Sequence, residues 1–121
     1  MDERLEKAFG VANYMATLSN QRRIILEEFK QKLIHYENGG TFEISPTLIN
    51  FTKTVLDLSY THDVPFTDVN GFPIVVPDVQ KFFDEILLKY MTSLNEYSVK
   101  FADLKSKRKL ADIVELWKQA H

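Results

Sequence analysis

The first 38 residues contain no proline and one glycine, Gly10, and apolar or small side chains return along them at helical intervals. Leu5, Ala8, Ala12, Met15, Leu26, Phe29, Leu33 and Tyr36 share one register, which also passes through Ser19 and Arg22. The steps alternate between three and four and average about 3.4 residues, close to the 3.5 of a coiled-coil seam. This predicts one long helix over 3–37. Asn38-Gly39-Gly40 stops it, because Asn and Gly tolerate the left-handed conformation that follows a helix end.

A second long stripe lies near the other end: Val79, Phe83, Ile86, Tyr90, Leu94, Tyr97, Phe101 and Leu104. It predicts a helix over 78–108, introduced by Pro77-Asp78 and ending in the cationic run Lys105-Ser106-Lys107-Arg108-Lys109, where positive charge suits the helix dipole. Between the two stripes, Thr41-Phe42-Glu43-Ile44 alternates as a short strand over 41–44 does. Ser45-Pro46 opens a short helix that runs to about residue 60, with serine as the cap and proline in the first turn. Residues 64–76 read as a hairpin around Asn70-Gly71, the pair a tight I′ turn prefers.

A helix of 35 residues is about 52 Å long, whereas a compact domain of this length has a radius of gyration of about 14 Å. The expected fold is therefore a single α+β domain, 1–121, predominantly helical and elongated. Two long antiparallel helices carry the short helix and a small antiparallel sheet (strand 41–44 plus hairpin 64–76) at one end. Apolar residues off the main stripes (Phe9, Val11, Leu18, Ile25, Ile34, Phe82, Leu87, Met91) predict a second contact surface. A homodimer or a protein partner would cover it.

Composition narrows the functional classes. There is no cysteine, so disulfides and thiolate metal sites are excluded. Lys and Arg number 15 against 17 Asp and Glu, a formal net charge of −2, which gives no general attraction to nucleic acid. The charged start, Met1 to Lys7, has no apolar stretch of a signal peptide, and no apolar run approaches the roughly 20 residues of a membrane span. The expected location is cytoplasmic.

No residue pattern specifies chemistry. His35, His62 and His121 lack a second histidine one turn away, so no helical metal pair is expected. His62 with Asp57, Asp63 and Asp68 matches no calcium loop. Ser59, His62 and Asp63 lie in one turn without a nucleophile elbow. Gly39-Gly40 follows a helix, the reverse of a phosphate-binding loop. No catalytic residue, cofactor or metal is expected. Two interaction candidates remain. The terminal stripe Leu110, Ile113, Val114 and Trp117 suits docking to a partner, although its apolarity favours packing on the body of the protein, with Trp117 buried. Lys100, Lys105, Lys107, Arg108 and Lys109 form a basic face, beside which Tyr97 and Phe101 offer stacking surfaces to nucleic acid.

Several stretches together resemble small uncharacterised proteins of large contractile-tailed marine phages, including cyanophages. They are Asn13-Tyr14-Met15 through Asn20-Gln21-Arg22, Tyr36 to Phe42, Leu48 to Phe51, Asp68 to Ile74 and Asn95-Glu96-Tyr97. The resemblance implies an assembly, virion or host-takeover role, in the host cytoplasm or the virion, without assigning an activity. The order helix, hairpin, helix is also similar in outline to prefoldin subunits. The expected function is non-enzymatic assembly or interaction through helical surfaces. A nucleic-acid accessory role on the basic face is the alternative.

Overall fold

In the computed structural model, residues 2–120 are described. The element order is α1 (Glu3–Lys32), β1 (Ile34–Glu37), β2 (Gly40–Glu43), α2 (Pro46–Asp57), β3 (His62–Thr67), β4 (Pro73–Asp78) and α3 (Val79–Ala120). The fold is predominantly helical α+β, with two separate two-stranded antiparallel sheets, β1–β2 and β3–β4. The chain forms two compact units: Met1–Glu28 with Glu96–His121, and Phe29–Asn95.

In the unit Phe29–Asn95, the first helix stops five residues earlier than its stripe predicts. Residues 34–37 are a strand, paired Glu37 to Gly40 and His35 to Phe42. The two-residue connection Asn38-Gly39 has φ of 45° and 81°, so this is the I′ turn, and it closes a hairpin rather than capping a helix. Strand 41–44 thus finds its partner just upstream, not in the second hairpin.

The second hairpin is longer than expected, and its turn is of a different type. Thr67 pairs with Pro73, leaving a five-residue loop, and of Asn70 and Gly71 only Gly71 has positive φ, at 79°. The loop is organised by Asp68. Its Oδ1 accepts from the backbone N–H of Asn70 at 2.9 Å and of Phe72 at 3.0 Å. Its Oδ2 accepts from the Thr41 N–H at 3.2 Å, and the Thr41 carbonyl in turn accepts from the Val69 N–H at 2.9 Å. Asn38 Nδ2 donates to the Val75 carbonyl at 2.9 Å, so the two hairpins are stitched together at both turns. Gly40 packs against the Ile74 side chain, where a Cβ would collide.

Two predictions follow from this loop. Gly71→Val places a β-branched residue at positive φ and should lower stability by about 1–3 kcal/mol, read as a fall in the denaturation midpoint. The second concerns acid. Burial alone pushes the Asp68 carboxyl up, but the N–H groups of Phe72, Thr41 and Asn70 outweigh it and hold the group below its ordinary value. A depressed folded-state pKa contributes stability that is complete above the unfolded value of about 3.9 and is lost as pH falls through the lower folded value. The urea midpoint should therefore fall between about pH 5 and pH 2, and Asp68→Asn should remove part of that dependence.

Ser45 caps α2, its Oγ accepting from the Leu48 N–H at 3.1 Å, with Pro46 in the first turn as expected. Ile49, Thr52 and Val55 face inward from α2. The core of this unit combines them with Leu33, Phe42, Ile44, Phe66, Val76, Val79, Phe82 and Ile86. Phe82 lies at its centre. Its ring centroid is 5.4 Å from Phe42, 5.3 Å from Phe66 and 5.4 Å from the His35 ring. The stripe reading placed Phe82 on an outer surface. It is buried because strands and α2 pack around the start of α3, so more than one face of that helix is covered.

In the unit Met1–Glu28 with Glu96–His121, the two helical segments run antiparallel. Lys100 Nζ donates to Glu28 Oε2 at 3.1 Å, and Val11 and Tyr14 lie beside Leu110 and Val114. No break separates the expected long helix from the terminal segment, since α3 is continuous over Val79–Ala120. Among the described residues of this unit, Leu18 alone is buried.

Candidate functional site

The only group of three potential metal-ligating side chains among the described residues is His35, Glu37 and Glu85, whose donor atoms all lie within 4.8 Å of one another. Alternation along β1 puts His35 and Glu37 on one face, and α3 supplies Glu85 and, one turn on, Lys89. The His35 ring is buried. Its Nε2 lies 3.1 Å from Glu37 Oε2 and 3.6 Å from Glu85 Oε2. Its Nδ1 lies 3.0 Å from Lys89 Nζ.

That last contact decides the chemistry. A charged ammonium only donates, so Nδ1 accepts and Nε2 carries the proton toward Glu37. A metal on Nε2 would displace that proton to Nδ1, against Lys89. Ligating histidines instead offer their second N–H to a carboxylate, carbonyl or water. Glu37, His35 and Lys89 therefore form a hydrogen-bonded chain, with the Glu85 carboxylate beside it, that acts as a polar latch between β1 and α3. Sequence reasoning passed over this cluster because its histidine has no histidine neighbour and its acids come from segments about 50 residues apart.

The loop candidates do not assemble. His62 is exposed and its Nδ1 lies 2.9 Å from Thr61 Oγ1. Asp57 is ion-paired with Lys53, and Asp68 is occupied by backbone N–H groups. His121 lies outside the described residues.

Both interaction candidates fall in the helical unit. Leu110 is 62% exposed, Ile113 53%, Val114 41% and Trp117 63%, so the expected burial of Trp117 does not occur. The stripe borders α1, with Val11 and Tyr14 beside Leu110 and Val114, but α1 covers it only in part. On α1, Leu5, Phe9 and Tyr14 are exposed as well. The basic face is divided. Lys100 is paired with Glu28, and Lys107 with Asp103 at 3.1 Å. Lys105 and Arg108 instead turn into a groove opposite Arg22, whose guanidinium lies 5.4 Å from the Phe101 ring centroid. No described helix is long and apolar enough to cross a membrane.

The chain matches no protein-family model, no curated protein and no solved structure.

Proposed function

We propose that this protein is a non-enzymatic helical assembly protein, and that the surface it assembles through is the half-exposed stripe Leu110, Ile113, Val114 and Trp117 with Val11 and Tyr14 of α1 beside it. The observation that carries this reading is the contrast between the two units. One has a closed aromatic and aliphatic core. The other has a single buried side chain among its described residues while large apolar groups stand half-exposed or more along it. Helices of this kind take most of their stability from packing an apolar face, and contiguous apolar surface marks an interaction site.

The occupant is a second copy of this chain. An antiparallel pairing of two such stripes buries like against like. The resemblance noted above supplies a setting, a small phage structural, scaffolding or regulatory factor. Trp117 is the only tryptophan and reports on the interface directly. Its emission should be blue-shifted at tens of micromolar and move to the red on dilution. Red emission independent of concentration would contradict the reading.

A further inference from the structure

Between α1 and α3, within the helical unit, lies a groove of about 300 Å³ with an apolar floor of Leu18, Phe101 and Leu104 and a rim of Arg22, Lys105 and Arg108. The volume is at the lower end of small-molecule sites. The distribution of charge partners around it is uneven. Lys100 and Lys107, on the same stretch of α3, are matched by Glu28 and Asp103. Arg23, next to Arg22, is held by Glu27 at 3.1 Å and by Asn20 Oδ1 at 2.7 Å. The three cations on the groove have no carboxylate partner among the described residues, and Arg22 rests only on an aromatic face.

We infer that this groove binds an amphipathic anion: a carboxylate, sulfonate or phosphate carried on a hydrocarbon or ring body. Three like charges gathered at one rim repel one another, and an anion relieves that repulsion. Guanidinium groups present paired donors to such an anion. The floor would gain nothing from a bare inorganic anion but desolvates an apolar body well. A nucleic-acid track needs a continued line of free cations, and here two ion pairs interrupt it. The groove residues are distinct from the terminal stripe, so the inference stands independently of the assembly reading.

Titration calorimetry with decanoate below its micellar concentration tests it, with decyl maltoside, inorganic phosphate and a single-stranded oligonucleotide in parallel. Decanoate should bind saturably, and decyl maltoside and phosphate at least about tenfold more weakly. Arg22→Gln with Arg108→Gln should weaken decanoate by about tenfold or more, with the circular dichroism spectrum unchanged. Lys109→Gln, equally cationic but outside the groove, should leave it unaltered. Equal binding of decyl maltoside would reduce the groove to an apolar patch and overturn the inference. So would unchanged affinity in the double variant, or tighter binding of the oligonucleotide.

Discussion

Phe82→Ala should lower the unfolding free energy by about 3–5 kcal/mol, the range for aromatic truncation in a closed core. The cost is expected at the upper end because the ring touches both hairpins and the polar latch at once. Phe42, Phe66 and His35 each lie within 5.4 Å of it, centroid to centroid, and they come from three different strands. Collapse around the cavity would require all three to move. Urea unfolding followed by far-UV circular dichroism measures the loss. Phe83→Ala, one residue on and only partly buried, should cost distinctly less. Equal costs at the two positions would contradict the assignment of Phe82 as the centre of the core.

The second large effect concerns association. Ile113→Glu with Trp117→Glu places charge on the half-exposed terminal stripe and should abolish self-association. Burying a side chain of this size contributes about 1.5–3 kcal/mol, and a twofold pairing loses each residue twice. The total is comparable with the roughly 8 kcal/mol that a micromolar dimer represents. Both residues are more than half exposed in the single chain, so the variant should keep its helix content. Size-exclusion chromatography at tens of micromolar should show a shift to later elution. Unchanged elution would place the interface elsewhere.

The helices were legible from periodicity, and the hairpins only in part. The sequence holds two Asn-Gly pairs, and the I′ turn belongs to Asn38-Gly39, not Asn70-Gly71. The alternating pattern of a helical register ran on through Leu33 and Tyr36, hiding that Ile34 to Glu43 alternates about that first pair as a hairpin does. At the second pair, Asp68 takes over by capping two N–H groups of its own loop, and such a capped loop needs positive φ at Gly71 alone. Phe82 was misplaced because a single-stripe reading assumes one covered face, while the start of α3 is enclosed from several directions. The His35 latch was invisible because strand and helix meet there through tertiary packing. The terminal segment lies on α3, and the burial expected for its Trp117 does not occur. Apolarity favours covering a surface but does not by itself place a covering element of the same chain over it.

Sedimentation equilibrium of the wild-type chain over a concentration series, run beside the Ile113→Glu, Trp117→Glu variant, tests the assembly reading most directly. The account predicts that the wild type approaches twice its 14.1 kDa chain mass at tens of micromolar while the variant remains at 14.1 kDa. A wild-type chain that stays at 14.1 kDa across the series would contradict it.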